Sequence, residues 1–357
     1  MFYKPVFRFF RRPVKRLKVY IKQKVGWLGI PKIIVYRGYG NEQEFYITGR
    51  LVEDSGLTKP EEHTKIWHNV LATLKRFSSD EIPGASIKAS CNGILKTTQT
   101  DEFGFFFFSF KTQDVENTPL EKDWLRIHVE LLDTIVENQP QITTEELVRI
   151  IPSNQKRIIV SDIDDTILVS HSTQTLKKLR LMLFKNAFDR MPFEGVADFY
   201  HALKKGKTGN ENNPFFFVSS SEWNLYDLLD DFFTHHNITK GFLMLRKLNY
   251  SIYKFWKSGG GNHEHKYEKI KDLMRFYPSQ QFILIGDSGQ RDPEIYKRLA
   301  LEFPDRVEAI YIRIIKSKKT VNLSDFSGEL LGVNTSFTEI NDSYAAMEHA
   351  REKGFIA

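Results

Sequence analysis

Hydrophobic and polar residues alternate in short runs between about residue 32 and residue 150. The runs KIIVYRGYG, EFYITGRLVED, ASIKASCNG and WLRIHVELLD lie between Gly, Asn, Asp or Pro residues, which is the pattern of β-strands separated by turns. In TTQTDEFGFFFFSF, residues 101–104 predict the turn of a hairpin, and Phe106, Phe108 and Phe110 alternate onto one face. This spacing predicts an all-β sandwich over residues 32–150.

A different pattern begins after residues 151–157, IPSNQKR, whose Pro, Ser, Asn and charged residues predict a linker. Apolar strands now alternate with helices: RIIVSD precedes LKKLRLMLFKNAFDR, PFFFVSSS precedes EWNLYDLLDDFFTHHN, and QFILIGDSG precedes PEIYKRLALEF. This order predicts a parallel sheet covered on both faces, a Rossmann-like α/β domain over residues 158–357. Ligands of such sheets bind at the carboxyl ends of the strands.

A basic and aromatic arm, residues 1–31, precedes the β domain. Pro13 and Gly26 favour a helix between them, although apolar and basic residues also alternate at residues 16–22, which leaves a strand open. In the helix, one apolar stripe contains Val14, Leu17, Ile21 and Val25.

The charge of the chain is concentrated in this arm. Residues 1–41 contain eleven Lys or Arg and no Asp or Glu, whereas the remaining residues carry 40 basic and 45 acidic side chains. Such an arm could lie on an anionic membrane, hold nucleic acid phosphates, or remain in solvent against its own protein.

Composition narrows the class of protein. The 357 residues are enough for about two domains, and 41% hydrophobic with 27% charged residues is typical of a soluble, globular chain. No apolar run approaches the roughly 18 residues that would span a bilayer. The single cysteine, Cys91, excludes an internal disulfide framework and fits a reducing compartment.

Two carboxylates at the end of the strand RIIVS carry candidate chemistry. Asp162 and Asp164 are two positions apart on an extended segment, so they can point the same way, whereas Asp165 points elsewhere. One carboxylate can attack phosphorus and its neighbour can transfer a proton. A calcium loop is the alternative, but its sixth position needs glycine and holds Ile167.

Polar residues follow other predicted strands. Ser219 ends the strand FFFVS, where its hydroxyl could hold a phosphate oxygen or, like Ser220 and Ser221, could cap the next helix. Asp287 ends FILIGD and could complete a Mg²⁺ site with Asp162. Asp292 could join that site or, before Pro293, could start a helix.

A lysine lies near the start of a further predicted helix, after the glycine-rich segment GGGNHEHK. Lys266 could neutralise phosphate or the aspartyl intermediate, or could be solvated. His263 and His265 form an H-x-H pair that suggests a metal only weakly, because no further spaced ligands accompany it.

D-x-D-x-T, a strand-end Ser, a Lys and GD-x4-D together form the motif set of the haloacid dehalogenase superfamily. The sequences around these motifs resemble the actin-patch-type phosphatidate phosphatase family: VSDIDDTI, VSSSEWNLYDLL, HKYEKI and IGDSGQRDPEIY. The segments YRGYG and GRLVED are similar to its bacterial members, and the T-D-x-x-G-x-F hairpin resembles prealbumin-like sandwich domains. The short interval between the first two motifs, roughly residues 168–213, implies a small or absent cap.

The resemblance assigns roles by matching position. It implies that Asp162 is the nucleophile and Asp164 the general acid and base, and that Thr166 completes their loop. It implies phosphoryl binding by Ser219, Thr166 and Lys266, the lysine also serving catalysis. It implies that Mg²⁺ is held by Asp162, the Asp164 carbonyl and Asp287, and Asp292 is a further candidate ligand.

The leading hypothesis is a Mg²⁺-dependent phosphatidate phosphatase that forms diacylglycerol and phosphate through an aspartyl phosphate. Residues 1–29 would hold it on an anionic membrane, so we expect a cytoplasmic protein that is peripheral at the inner membrane face and has no nucleic acid partner. The alternatives are a phosphatase of the same mechanism acting on a soluble phosphomonoester, and a non-catalytic β-sandwich binding protein.

Overall fold

The computed structural model describes residues 19–54, 80–115, 123–163, 166–167, 192–246, 264–315 and 326–357. The chain divides into two compact units, Met1–Pro152 and Ser153–Ala357. The division falls inside the segment predicted as a linker, residues 151–157.

The first unit contains one seven-stranded sheet, in the order β4-β3-β6-β7-β1-β2-β5. Neighbours are antiparallel except for β1 and β7, which are parallel. A short 3₁₀ helix, Thr112–Val115, follows β5. The strands are β1 (Pro31–Gly40), β2 (Glu44–Glu53), β3 (Ser86–Cys91), β4 (Ile94–Gln99), β5 (Phe105–Lys111), β6 (Trp124–Leu131) and β7 (Thr143–Ile150).

The predicted turn at residues 101–104 is present, but the hairpin is wrong. Gly104 has φ +73° and donates its N–H to the Asp101 carbonyl, as a tight turn requires. The flanking strands do not pair with each other: β4 pairs with β3, and β5 pairs with β2. The turn therefore carries the chain from one edge of the sheet to the other, and Lys96 on β4 donates to the Ser109 carbonyl on β5.

One face of β5 contributes to the core of this unit. Phe106, Phe108 and Phe110 are buried, whereas Phe107 between them is 52% exposed, so the predicted alternation is confirmed. The three buried rings belong to a hydrophobic cluster with residues from all of strands β1 to β7 except β4. Ile94 of β4 packs against this cluster. The predicted all-β domain is confirmed, and its core lies inside one curled sheet.

The described part of the arm is helical over residues 19–24. Gly26 ends this helix with φ +73°, and Trp27 N–H donates to the Lys22 carbonyl at 2.8 Å. Helix rather than strand is therefore correct here. The predicted stripe is not buried in this segment, because Ile21 and Val25 are 49% and 52% exposed; Val14 and Leu17 lie outside the described residues.

The second unit contains a six-stranded sheet, in the order β10-β9-β8-β11-β12-β13, with every pair parallel. Its strands are β8 (Arg157–Ser161), β9 (Phe215–Glu222), β10 (Phe242–Arg246), β11 (Gln281–Asp287), β12 (Val307–Arg313) and β13 (Ser336–Ile340). Its described helices are α1 (Val196–Lys205), α2 (Tyr226–His235), α3 (Glu264–Phe276), α4 (Asp292–Glu302), α5 (Phe326–Leu331) and α6 (Ser343–Glu352), with a 3₁₀ turn at Trp223–Leu225.

The central strands of this sheet are apolar because both of their faces are covered. Every residue of β8 is buried, and β11 is buried from Phe282 to Asp287, as parallel sheets require. The predicted α/β domain is confirmed. In the interval predicted to hold a small cap, residues 196–205 form α1, whose Phe199 and Tyr200 are buried; residues 168–191 lie outside the described residues.

In the part of the chain that the structure describes, no helix combines the length and the hydropathy needed to cross a bilayer.

Candidate active site

Three buried carboxylates meet at the carboxyl ends of the two central strands. Asp162 follows β8, Asp287 ends β11, and Asp292 begins α4. One oxygen of each carboxylate lies within 4.8 Å of the other two, and all three side chains are fully buried. The pairing of β8 with β11 continues to the first of them, since Asp162 N–H donates to the Ile285 carbonyl at 2.9 Å.

A glycine permits the close approach of Asp292 to β11. A Cβ atom on Gly286 would lie 2.7 Å from Asp292 Cβ, 2.7 Å from Asp292 Oδ2 and 2.8 Å from Tyr296 Cε2. These distances are below ordinary van der Waals contact. Gly286 is therefore needed for space rather than for its backbone conformation.

Lys266 on α3 brings a positive charge to the carboxylates. Its Nζ lies 2.9 Å from Asp162 Oδ1 and 2.7 Å from Asp292 Oδ1, and the side chain is 2% exposed. Burial alone would lower the pKa of Lys266, but the charges of Asp162 and Asp292 and its hydrogen bonds to them raise it above its usual value. The lysine is therefore a permanent cation of the site.

The sequence left open whether Asp292 caps a helix, and in the structure it does not. The cap position of α4 is Arg291, and no side-chain capping hydrogen bond is made there. Asp292 instead directs Oδ1 to Lys266 and accepts at Oδ2 from Asp287 N–H at 3.4 Å. Its side chain belongs to the carboxylate cluster, although its role as a metal ligand stays a prediction.

The serine run also does not cap a helix. Strand β9 continues through Ser219, and α2 begins only at Tyr226, with Leu225 at its cap position and no side-chain cap. Ser219 is buried, and its Oγ accepts from Ser221 N–H at 2.9 Å. Because β9 is the parallel neighbour of β8, Ser219 lies at the same edge of the sheet as Asp162, and phosphate binding stays a prediction.

Thr166 lies in the loop that follows Asp162. Its hydroxyl is buried and has no hydrogen-bond partner within the described ranges. A buried hydroxyl costs free energy without a partner, so this group is suited to donate to a bound ligand. Asp164 and Asp165, next to it in sequence, lie outside the described residues, and the acid and base role of Asp164 stays a prediction.

His265 offers no support for a histidine metal site. It is not part of the group of ligand residues found in the described ranges. Burial, with Lys269 and Arg246 nearby, lowers the pKa of His265 to about 3, so the ring is neutral near pH 7. His263 lies outside the described residues.

A further residue, which the sequence did not single out, contacts both Asp162 and Lys266. Gln290, in the loop between β11 and α4, donates from Nε2 to Asp162 Oδ2 at 3.2 Å and accepts at Oε1 from Lys266 Nζ at 3.3 Å. It lies inside the recognised segment GDSGQRDPE. Its place between Asp287 and Asp292 was the only sequence signal for this role. Spacing alone does not distinguish a residue that contacts the site from an ordinary loop residue.

The donor set fits a divalent cation. Carboxylate oxygens are the preferred protein ligands of Mg²⁺, which needs one or two of them together with water and substrate phosphate. Lys266 offsets one of the three negative charges of the buried carboxylates, and a divalent cation would offset the other two. The buried aspartate cluster can therefore bind a metal ion.

Comparison with known proteins agrees with this geometry. Residues 157–314 match the family described as phosphatidate phosphatase APP1, catalytic domain. This range contains the carboxylates, Lys266, Ser219 and Gln290, so the resemblance inferred from the four motifs is confirmed.

Two curated proteins are similar over about half of the chain. An uncharacterized protein of Schizosaccharomyces pombe is 29% identical over 173 residues, which are 48% of this chain and 26% of that protein. Phosphatidate phosphatase APP1 of Saccharomyces cerevisiae is 28% identical over 194 residues, 54% of this chain and 32% of that protein. The chain therefore matches only about a quarter to a third of the length of these relatives.

Among solved structures, a carbohydrate acetylesterase from Xanthomonas citri aligns with 87% of this chain and 69% of its own, at 9% identity and a TM-score of 0.30. A similarity at this level supports no inference about fold or function.

Proposed function

We propose that the protein is a Mg²⁺-dependent phosphatidate phosphatase, because residues 157–314 match the catalytic domain of the phosphatidate phosphatase APP1 family. It hydrolyses phosphatidate to diacylglycerol and phosphate through an aspartyl phosphate, at a membrane surface. The observation that carries the proposal is the buried cluster of Asp162, Asp287 and Asp292 with Lys266 at the carboxyl ends of β8 and β11. A protein that only binds a partner has no need of such a cluster.

The first chemical step forms a covalent intermediate. A carboxylate oxygen of Asp162 attacks phosphorus, the new O–P bond forms, and the bond from phosphorus to the glycerol oxygen breaks. Asp164 protonates that oxygen as diacylglycerol leaves. Lys266 holds the Asp162 carboxylate at 2.9 Å and offsets the negative charge of the incoming phosphoryl group.

The second step returns the enzyme to its starting state. Asp164, now a carboxylate, takes a proton from water as the water oxygen attacks phosphorus. The bond between phosphorus and the Asp162 oxygen breaks, and phosphate leaves. The Thr166 hydroxyl, which is buried and has no partner within the described ranges, and Ser219 donate to the phosphoryl oxygens during both steps.

Asp162 and Asp287, with the Asp164 carbonyl, would hold the Mg²⁺ ion, and Asp292 lies within reach of the same position. When bound, the ion supplies positive charge that reduces the repulsion between a carboxylate nucleophile and a phosphate dianion.

The arm supports a lipid rather than a soluble substrate. Lys22 Nζ lies 2.9 Å from Glu53 and 2.7 Å from Asp80, and Gln23 Nε2 donates to the Ile135 carbonyl at 3.0 Å. These contacts hold the helix on the β domain. The exposed residues of this segment include the apolar or aromatic Tyr20, Ile21, Val25, Trp27 and Ile30, together with the basic Lys24.

Exposed apolar side chains within a basic segment suit the headgroup region of an anionic membrane. We therefore propose that this surface contacts the membrane and that the protein is cytoplasmic and peripheral at the inner membrane face.

The test of the activity is phosphate release from phosphatidate in mixed micelles and from a panel of soluble phosphomonoesters, with Mg²⁺ and with EDTA. We expect phosphatidate to have the highest kcat/KM and EDTA to abolish release from every ester. Turnover of a soluble ester equal to or better than that of phosphatidate would overturn the lipid assignment alone. Undiminished release in EDTA would overturn the metal-dependent mechanism.

The test of the membrane surface is sedimentation with vesicles of phosphatidylcholine containing phosphatidylglycerol. Trp27→Ala removes a side chain that is 74% exposed and leaves the contacts of Lys22 intact; we expect roughly tenfold weaker vesicle binding and an unchanged rate on a small soluble ester. The control is Leu331→Ala, because Leu331 is 75% exposed and lies in the other unit. Equal binding by both variants would show that the arm does not contact the membrane.

A further inference from the structure

The ammonium group of Lys266 contacts three oxygens: it donates hydrogen bonds to Asp292 and Gln290 and forms an ion pair with Asp162. Asp162 Oδ1 lies 2.9 Å from Nζ, Asp292 Oδ1 lies at 2.7 Å, and Gln290 Oε1 lies at 3.3 Å. An ammonium group has three donors and no acceptor. The two hydrogen bonds restrict its rotation, and the ion pair holds it beside Asp162.

The carboxylate of Asp162 is held from two directions. Lys266 contacts Oδ1, and Gln290 Nε2 donates to Oδ2 at 3.2 Å. Two different donors on the two oxygens restrict rotation of the carboxylate plane. Gln290 contributes to both restraints because a carboxamide contains a donor and an acceptor, whereas a carboxylate can only accept and an aliphatic side chain can do neither.

We propose that Gln290 is a positioning residue of the phosphoryl-transfer site, which orients the Asp162 carboxylate and the Lys266 ammonium relative to each other before phosphorus is attacked. The inference rests on the proposed function. Attack requires a lone pair aimed at phosphorus in line with the leaving oxygen, and small errors in that alignment are costly in rate. Because the amide is neutral, it provides this alignment without changing the charge balance between the carboxylates, Lys266 and a divalent cation.

The first experiment compares Gln290→Leu with wild type. Leucine removes both hydrogen bonds at similar side-chain size. We expect kcat to fall by about 10- to 100-fold on phosphatidate and on a small soluble ester alike, with KM changed less than about threefold, because orientation and not substrate binding is lost. Gln281→Leu is the matched control, since Gln281 lies at the opposite end of β11 and should retain wild-type kcat and KM.

A charged variant separates positioning from a general structural effect. Gln290→Glu keeps an acceptor for Lys266, but it loses the donor to Asp162 and places a like charge beside it. We expect kcat to fall at least as far as in Gln290→Leu at an unchanged melting temperature, because both variants lose the hydrogen bond to Asp162. Gln281→Glu should retain the wild-type kcat. A wild-type kcat in Gln290→Glu or in Gln290→Leu would overturn the inference.

A substrate-free measurement separates this inference from the proposed function. Beryllium trifluoride with Mg²⁺ mimics an aspartyl phosphate, and its binding is followed by ¹⁹F NMR. We expect the wild-type complex to form and Gln290→Leu to weaken it at least about tenfold at an unchanged melting temperature. Absence of the complex in wild type contradicts the proposed chemistry, whereas equal affinity in wild type and Gln290→Leu contradicts only the role of Gln290.

Discussion

The substitution Gly286→Ala tests whether the position of Asp292 controls the site. A Cβ atom at residue 286 would lie 2.7 Å from both Asp292 Cβ and Asp292 Oδ2. To restore a contact of about 3.4 Å, Asp292 must move by roughly 0.7 Å, and a displacement of about 1 Å can cost about 100-fold in rate. Asp292 also holds Lys266 at 2.7 Å, so the displacement is transmitted to the lysine.

We therefore expect Gly286→Ala to lower kcat/KM by about 30- to 100-fold. Crowding of Asp292 and Tyr296 should also cost about 1–3 kcal/mol of stability. For a unit of this size that corresponds to a melting temperature lower by roughly 2–12 °C, so the protein should remain folded at assay temperature. Initial rates of phosphate release and thermal unfolding are measured on the same preparation.

Gly328→Ala is the matched control. A Cβ atom at Gly328, in α5, would meet nothing within 4 Å, so the same change of side chain should be neutral in rate and neutral or slightly stabilising. A folded Gly286→Ala protein with a rate within twofold of wild type would refute the argument that Asp292 must lie against residue 286. An equal loss of rate in Gly328→Ala would refute it as well.

Two further predictions concern the metal and pH. Without substrate, Mg²⁺ at about 100 times its Kd should stabilise the wild-type protein by about 2.7 kcal/mol, which is measured as a higher melting temperature. Asp287→Asn should lose most of this increase in melting temperature. An equal increase in the variant would contradict the assignment of Asp287 as a ligand. The pKa of His265 in the folded protein is lowered to about 3, so the unfolded chain takes up this proton first as pH falls below about 6.5, and the folded state loses stability between about pH 6.5 and 3. In urea unfolding at pH 7.5 and 5.0, the loss in wild type should exceed that in His265→Gln by on the order of 1 kcal/mol per pH unit below pH 6.5; equal losses would show that His265 is not held neutral.

The architecture of the α/β unit could be predicted because its strands have an unambiguous local pattern. Strand β8 has the sequence RIIVS: its three central residues are apolar, its one charged residue lies at the end of the strand, and all five residues are buried. The β unit shows the limit of this reasoning. The turn at Asp101 could be predicted from nearby residues, but the partner of β5 is β2, which lies about sixty residues earlier, and no local pattern specifies such a pairing.

The site likewise contains residues with a local sequence signal, which could be predicted, and residues whose roles depend on packing, which could not. Asp162 and Asp287 could be predicted because carboxylates directly after buried strands are uncommon and parallel strands bring their ends together. Asp292 was ambiguous because Asp before Pro293 also starts helices. Gln290 and Gly286 could not be predicted, since their roles depend on distances to Asp162 and Asp292 that only the packed fold determines.

The central claim is that Asp162 becomes phosphorylated during turnover. The most direct measurement mixes the protein with Mg²⁺ and phosphatidate carrying a ³²P headgroup, quenches in acid within one turnover, and maps the label by proteolysis and mass spectrometry. We predict an acid-stable, hydroxylamine-labile phosphate on the peptide containing Asp162, formed more slowly in Asp164→Asn because the leaving glycerol oxygen needs a proton, and absent in Asp162→Asn. Phosphate release that persists in Asp162→Asn, or label on another residue, would contradict the mechanism.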